Sequence, residues 1–460
     1  MLVPAWVDFA LGNLEWRGFL VSAAITLFVG GSLLLTELGY RGTLSIEQGF
    51  ILTFVSWIVL AVFAALPFVF ADSGLSFADA VFEAMSGLTT TGSTVITGLD
   101  AMPEGILLWR AMLQLLGGIG IIVVAVAVLP MLRIGGMQLF RLESSEKSEK
   151  AVPRAAELAL AVSLAYLILT LACFIAYKAG GMSTFDAAAH AMSTISTGGF
   201  STHDSSFGHF SPALQYTSIA FMLAGGLPML LFVQIARGKL RLALLDPQLR
   251  VFLAVVAVAT VAMAAFTAGS GLAGSADAIR LSLFNVTSIV TTTGFAANDY
   301  GAWGAFVAGV VFLITFSGAC AGSTSGGFKV YRLYIVSASL WLQMRRVVHP
   351  HGVFTARYAG RPISEDVVAS VFIFFFFFIL TFGVISIALT LMGLDMTTAI
   401  SATATCLANV GPGLGTVVGP AGTFAPLPDA AIWLLTAAML LGRLELFTVI
   451  VLLNPWFWRN

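Results

Sequence analysis

The sequence predicts an all-α polytopic membrane protein in which one helix–loop–helix unit recurs four times behind one extra N-terminal helix. Three observations carry that expectation. Hydrophobic residues make up 58% of the 460 residues and charged residues only 10%, with a mean hydropathy of +0.97, whereas soluble domains carry roughly 25% charged residues. Runs long enough to cross a bilayer, about 20 apolar residues each, recur along the whole chain. Between alternate runs stand short Thr/Ser/Gly-rich stretches that resemble one another. The 22 Lys and Arg balance 23 Asp and Glu, so bulk charge gives no reason to expect nucleic acid or an acidic partner. Cys173, Cys320 and Cys406 lie apart in apolar or glycine-rich sequence, without the spacing of a disulfide framework or a zinc site.

Taken in order, the apolar runs are 18–36, 50–71, 106–130, 156–177, 212–235, 248–269, 301–317 with a continuation to 340, 365–392 and 429–453. The first lies too far from Met1 to be the apolar part of a signal peptide, and no small-residue cleavage pattern follows it. Lys and Arg mark loops retained in the cytoplasm. They gather in 131–155 (Arg133, Arg141, Lys147, Lys150, Arg154), 236–250 (Arg237, Lys239, Arg241, Arg250) and 329–361 (Lys329, Arg332, Arg345, Arg346, Arg357, Arg361). The alternate connections, 72–105, 178–211, 270–300 and 393–428, are mainly acidic and are expected to face outward. Their carboxylates either concentrate cations at a mouth or simply solvate exposed loops.

Each outward connection is too apolar to be a plain loop. Phe77, Phe185, Leu281 and Thr397 each open about twelve helix-compatible residues that run into Thr/Ser/Gly-rich sequence, the mark of an internal repeat. Aligned on Gly92, Gly199, Gly294 and Gly411, the copies recur at intervals of roughly 100 residues. The expected units are an N-terminal segment 1–48 with the extra helix, then repeats 49–135, 136–245, 246–345 and 346–460.

Backbone that leaves regular helix at membrane depth strands N–H and C=O groups unless protein buries it or it lines water. Four copies of that feature suggest one shared central pathway. Glycine lets carbonyls turn toward an axis, and the flanking threonines are expected to favour extended backbone. A ring of carbonyls can replace the hydration shell of an alkali cation, with the partly negative C-terminal ends of the short helices pointing at the same place. Conduction of a monovalent cation is the function this pattern supports. Thr90, Thr197, Thr292 and Asn409 stand two residues before the aligned glycine, and Glu83, His190, Asn285 and Ala402 nine before it. The first set either braces the stretch or lends oxygens. Members of the second set hold the short helices from behind or are ordinary satisfied buried groups.

Leu88-Thr-Thr-Thr-Gly-Ser, Ser196-Thr-Gly-Gly-Phe-Ser-Thr-His-Asp, Thr291-Thr-Thr-Gly-Phe, Gly318-Ala-Cys-Ala-Gly-Ser-Thr-Ser-Gly-Gly-Phe-Lys-Val, Asn409-Val-Gly-Pro-Gly-Leu-Gly and Gly442-Arg-Leu-Glu resemble the TrkH-type subunits of the Trk/Ktr/HKT potassium transporter superfamily. The likeness runs over nearly the whole chain from about residue 18. It implies a single chain that mimics a tetrameric potassium channel, with a K⁺ selectivity filter at Thr90, Thr91, Gly92, Thr197, Gly198, Gly199, Thr292, Thr293, Gly294, Asn409, Val410 and Gly411. Glycine in the first repeat goes with potassium over sodium in that family, and all four positions are glycine. The resemblance further implies a homodimer in the bacterial inner membrane, and a cytoplasmic TrkA-like regulatory partner through which alone a nucleotide (ATP/ADP or NAD) would act. No covalently bound cofactor is implied. The basic loops suit docking of an acidic surface, but retention in the cytoplasm explains them equally. Such chains begin with two helices before the first repeat; here only 18–36 is long enough, so either most of one helix is lost or the true start lies upstream.

Gly318, Gly322, Gly326 and Gly327 interrupt the seventh span, and glycine costs a helix about 1 kcal/mol relative to alanine. A flexible constriction is expected there, formed by Gly318, Gly322, Ser323, Thr324, Ser325, Gly326, Gly327 and Lys329, at the position where TrkH-like proteins gate. Arg443 lies mid-span, which costs at least about 2.5–3.5 kcal/mol unless it meets protein or water. It is expected to reach the pathway near 318–327, and Glu445, two residues on, points the wrong way on a helix to pair with it. Enzymatic readings find no support: the glycine-rich run has neither phosphate-loop nor nucleophile-elbow spacing, and no two His stand four apart beside a Glu. The alternative from another class is an alternating-access secondary transporter coupling K⁺ or Na⁺ to another ion, whose broken helices also sit at midplane.

Overall fold

The computed structural model describes residues 1–38, 45–71, 74–123, 151–238, 246–358, 361–452 and 455–458. Arg133, Arg141, Lys147, Lys150, Lys239, Arg241 and the end of the expected span 106–130 lie outside them. The regular structure of the described residues is helical apart from two short strands, Arg357–Tyr358 paired antiparallel with Arg361–Pro362.

Four times a long helix leads into a short one, which leads through an irregular stretch into a third. The long helices are Ile46–Phe70, Ala151–Ala179, Pro247–Gly269 and Glu365–Leu391; the short ones are Phe77–Leu88, Thr184–Ile195, Ser275–Val290 and Met396–Ala408. Each short helix packs on the long helix before it. Side-chain oxygens of Ser76, Ser183 and Asp395 accept the backbone N–H of Asp79, Asp186 and Thr398 and so start three of them. These caps satisfy N–H groups that a helix start leaves without partners. The third short helix begins after Gly274 without a side-chain cap.

Six helices are long and apolar enough to cross a membrane among the described residues, or seven if one bent pair counts as a span. Their burial separates an inner from an outer layer. The apolar window of Glu104–Ile122 is 72% buried within the protein, against 17% for Glu157–Ala179 and 28% for Glu365–Leu391. Exposed apolar helices of this length belong against lipid, and the short helices, almost wholly buried, fill the centre.

Among the described residues three of the four closing helices are broken, two of them where the sequence led us to expect straight spans. The run 212–235 divides into Pro212–Gly225 and Met229–Ala236, bent by 91°. Gly225, Gly226 and Pro228 explain the corner, since proline removes a donor and clashes with the preceding turn. The run 429–453 divides into Asp429–Arg443 and Phe447–Leu452, with Glu445 at φ 55° between them. The third closing helix ends at Thr315 and resumes at Lys329, as its glycines predict.

The N-terminus holds a second, shorter helix ahead of the one expected over 18–36. Leu2–Leu11 stops at Gly12, at φ 80°, and packs on Trp16–Thr36 and on Glu104–Val123. Asp8 is buried because its carboxylate caps another helix: Oδ1 accepts from the Gly105 N–H at 2.8 Å and from Asn13 Nδ2 at 3.1 Å. A carboxylate is favoured there by the helix dipole as well.

Glycine sets how closely the closing helices approach the short ones. A Cβ on Gly117 would collide with the Leu88 carbonyl, one on Gly442 with the Leu407 carbonyl, and one on Gly225 would come within 3.2 Å of the Ile195 carbonyl. All three carbonyls stand four residues before an aligned glycine. Small residues of this kind let helix backbones meet. Overpacking costs about 1–3 kcal/mol, so Gly117→Leu should lower the thermal midpoint of detergent-solubilised protein by several degrees. Gly309→Leu, at a site with open space around it, should not.

Candidate ion site

Each glycine stretch turns through left-handed backbone twice. Thr90, Thr197, Thr292 and Asn409 have φ of 51°, 53°, 58° and 55°, and Gly92, Gly199, Gly294 and Gly411 have 88°, 76°, 82° and 109°. This corrects the expectation that the threonines stay extended. A β-branched residue at positive φ is a strained exception, yet three of the four equivalent positions hold one. Alternation of left-handed residues with an ordinary residue between them lines up successive peptide groups, N–H to one side and C=O to the other.

The four stretches meet in a closed cycle. A Cβ on Gly92 would collide with the Gly198 carbonyl, on Gly199 with that of Thr293, on Gly294 with that of Val410, and on Gly411 with that of Thr91, 2.8 Å away. Every glycine therefore lies against the peptide just before the glycine of the next unit. Side chains reinforce the closure between the fourth and first units: Asn409 Nδ2 donates to Thr91 Oγ1 at 2.9 Å, and Ser93 Oγ donates to the Gly411 carbonyl at 2.9 Å. All twelve residues expected at this site are brought together, and Thr90, Thr91, Thr197, Thr292, Thr293, Asn409 and Val410 are buried.

Behind the ring, residues nine before the glycine tie three of the four short helices to the stretch that leaves the ring. Glu83 accepts from Thr94 Oγ1 and the Val95 N–H, both at 3.0 Å, and from Arg110 Nε at 2.8 Å. His190 Nδ1 lies 2.9 Å from the Asp186 carbonyl and Nε2 lies 3.0 Å from Ser201 Oγ. A carbonyl can only accept, so Nδ1 carries the proton and Nε2 accepts from the serine. Asn285 accepts from the Ala297 N–H and donates to Asn298 Oδ1. Ala402 cannot do this, and its neighbour Ser401 donates to the Leu414 carbonyl instead.

Arg110 and Gln114 belong to this network and were not singled out from sequence. Arg110 Nη1 donates to the Ser201 carbonyl at 2.9 Å with its guanidinium 4.1 Å from the Phe200 ring centre, so it joins the first unit to the second. The signal was present, because an arginine inside an apolar span demands a partner, as was argued for Arg443. Gln114 Nε2 donates to the Gly198 carbonyl and its Oε1 accepts from the Phe200 N–H.

Beneath the ring lies the break between Thr315 and Lys329. Thr324 Oγ1 is 3.1 Å from Thr197 Oγ1 and donates to the Ile195 carbonyl, and the Gly326 N–H donates to Thr292 Oγ1 at 2.9 Å. A Cβ on Gly326 would strike the Ala408 carbonyl. Thus the loop touches three of the four units at the turn into the ring. Gly318, Gly322 and Gly327 adopt φ of 60°, 81° and 67°, while Ser323 and Ser325 share a hydroxyl hydrogen bond at 3.0 Å. Arg443 Nη1 donates to the Thr324 carbonyl at 2.8 Å, and its buried Nε and Nη2 have no hydrogen-bond partner among the described residues. Glu445 pairs with Arg332 at 2.6 Å and Lys329 begins the next helix at φ 45°. A relay leads from this loop toward the Arg357–Tyr358 strand: the Ala321 N–H donates to Gln248 Oε1, Gln248 Nε2 to Tyr358 Oη, and Tyr358 Oη to Asp246 Oδ1.

On the other side of the ring, His203 lies against Asp100 at 2.5 Å, a hydrogen bond that holds the Asp100 carboxyl below the usual range. His203 stacks face to face on His209 at 3.7 Å. With the rings parallel, the in-plane lone pairs of the two imidazoles do not converge on one point in this arrangement.

A buried ring of peptide groups at the centre of a helical bundle, with a glycine-rich helix break packed against its turns, suits a helical membrane protein of the transport class. The match of residues 18–456 to the TrkH family model, described as a cation transport protein, shows that the chain belongs to that family. It is 46% identical over 90% of its length to the Trk system potassium uptake protein TrkI of Halomonas elongata, covering 84% of that protein. It is 40% identical over its full length to the Trk system potassium uptake protein TrkH of Vibrio parahaemolyticus, covering 96% of that protein. The crystal structure of the potassium transporter TrkH from Vibrio parahaemolyticus superposes with a TM-score of 0.91 over 99% of this chain and 95% of that one, at 37% identity.

Removing one partner of a buried ion pair costs about 3–5 kcal/mol, whereas replacing both by apolar groups is far milder. Glu83→Ala should therefore abolish most folded protein in size-exclusion analysis. Glu83→Ala combined with Arg110→Met should recover part of it.

Proposed function

We infer that this chain takes up potassium across the bacterial inner membrane through a channel-like pore. Its selectivity filter is the ring of Thr90–Gly92, Thr197–Gly199, Thr292–Gly294 and Asn409–Gly411. The single observation that carries this reading is the closed cycle in which each aligned glycine abuts the carbonyl-bearing peptide of the next unit. Such a cycle supplies oxygens on several sides of one axis, the geometry needed to replace the water around an alkali ion. The curated relatives are named for potassium uptake, which selects the ion.

The glycine-rich loop is the gate. Gly318, Gly322, Ser323, Thr324, Ser325, Gly326, Gly327 and Lys329 lie across the exit below the filter, and Arg443 pins the loop through the Thr324 carbonyl. Its guanidinium places one positive charge on the ion's route, which opposes cation passage while the loop is closed. Opening requires those contacts to exchange. The Gln248–Tyr358–Asp246 relay offers a path by which a cytoplasmic nucleotide-binding partner of the TrkA kind could pull on the loop. Two such chains assemble as a homodimer. Carrier-like alternating access fits less well, because a fourfold ring has no counterpart in the paired repeats of such folds.

Uptake of ⁸⁶Rb⁺ into proteoliposomes tests the filter. Gly92→Ser places a Cβ against the Gly198 carbonyl at positive φ and should cut discrimination against Na⁺ by about tenfold, equivalent to about 1.4 kcal/mol between the ions. The gate has its own test: deleting Ala321 to Gly326, or Arg443→Ala, should raise Rb⁺ flux in the absence of partner and nucleotide. Flux unchanged from wild type in both would reject the loop as a gate.

A further inference from the structure

The second glycine stretch is built differently from its counterparts. One residue before the aligned glycine, the others carry Thr91, Thr293 and Val410, whereas the second carries Gly198. Two consecutive residues without Cβ give this strand of the ring the greatest backbone freedom. In the first and third stretches a hydroxyl pair staples the turn from within: Thr89 Oγ1 to Thr91 Oγ1 at 2.7 Å, and Thr291 Oγ1 to Thr293 Oγ1 at 2.8 Å. Ser196 occupies the first position of that staple in the second stretch, but Gly198 has no side chain to complete it.

Gln114 stands where the staple is missing. It is fully buried, it comes from the closing helix of the first unit, and its amide carbon, oxygen and nitrogen all crowd the position a Cβ on Gly198 would take. Nε2 donates to the Gly198 carbonyl at 2.6 Å and Oε1 accepts from the Phe200 N–H at 3.1 Å. One amide thereby fixes the peptide groups on both sides of Gly199.

We propose that Gln114 is a specificity-determining positioning residue. By occupying the space vacated at Gly198 and bridging Gly199, it holds the second strand of the ring in the shape that the threonine staples impose on the first and third. It acts through the Gly198 peptide and never touches the ion. Without it the diglycine relaxes, and the ring loses its preference for the larger, more easily dehydrated cation. The proposal rests on the reading of this ring as the filter.

The pairing is reciprocal, which makes it testable in proteoliposomes by the ratio of ⁸⁶Rb⁺ to ²²Na⁺ flux. Gln114→Ala and the volume-conserving Gln114→Met should each lower the ratio by about tenfold, matching the loss of about 1.4 kcal/mol, with folded yield near wild type. Gly198→Thr alone should also lower it, because the added Cβ meets the glutamine amide. Gln114→Ala combined with Gly198→Thr should restore most of the ratio, since the introduced hydroxyl can reach Ser196 and the space is clear. An unchanged ratio in both Gln114 variants, or a double variant no better than the worse single one, overturns the proposal. So does loss of folded protein in the single and double variants alike, which would make Gln114 a packing residue. Gly92→Ser separates the two readings: if it too leaves the ratio unchanged, the filter reading itself fails; if it shifts the ratio while Gln114 variants do not, only the role of Gln114 falls.

Discussion

The constraint on which this structure depends is the need to keep irregular backbone satisfied inside a bilayer. A peptide group without a partner in hydrocarbon costs several kcal/mol. Four stretches in this chain leave helix where the surrounding helices are apolar enough to span. Each is held by groups supplied within the protein, either from its own unit or from its neighbour, as Gln114 serves the second stretch and Asn409 reaches the first. No unit could bury its own turn alone. The cyclic packing of glycine against the next carbonyl is therefore a condition of folding before it is a device for ions.

That condition organises the layers outside the ring. The short helices must end at the centre, so their C-terminal turns have to be approached closely from behind, and Gly117, Gly225 and Gly442 allow it. The strands leaving the ring must be drawn back against the same helices, which Glu83, His190 and Asn285 accomplish by different chemistry at one position. Long apolar helices then enclose the assembly and meet lipid. Among the described residues the break between Thr315 and Lys329 is the longest in any closing helix, and it lies under the ring against three of its four turns. An asymmetric element packed under a near-symmetric ring suits the proposed gate.

Much of this was legible in the sequence. Aligned glycines with polar residues two before them, an apolar short helix ahead of each, and an arginine in the last span led to the four units, the convergence of the stretches and the position of Arg443. What escaped was geometry that composition does not encode. Threonine prefers extended backbone, and only the surrounding contacts force Thr90, Thr197 and Thr292 to positive φ, a tertiary override of local preference. The corner at Pro228 and the break after Arg443 vanish in a hydropathy window because the residues on both sides are apolar. Leu2–Leu11 escaped because it is too short to read as a span, and Asp8 fastens it by capping the helix at Gly105. Gln114 is a lone amide in an apolar run, and its meaning appears only when Gly198 is found opposite it.

The central claim is that the four glycine stretches surround one site that takes an alkali ion stripped of water. Diffraction from crystals soaked in Tl⁺, recorded for anomalous signal, tests this most directly. The account predicts a peak on the axis enclosed by the residues at Gly92, Gly199, Gly294 and Gly411. Well-ordered crystals with the ion bound elsewhere and no peak inside that ring would contradict it.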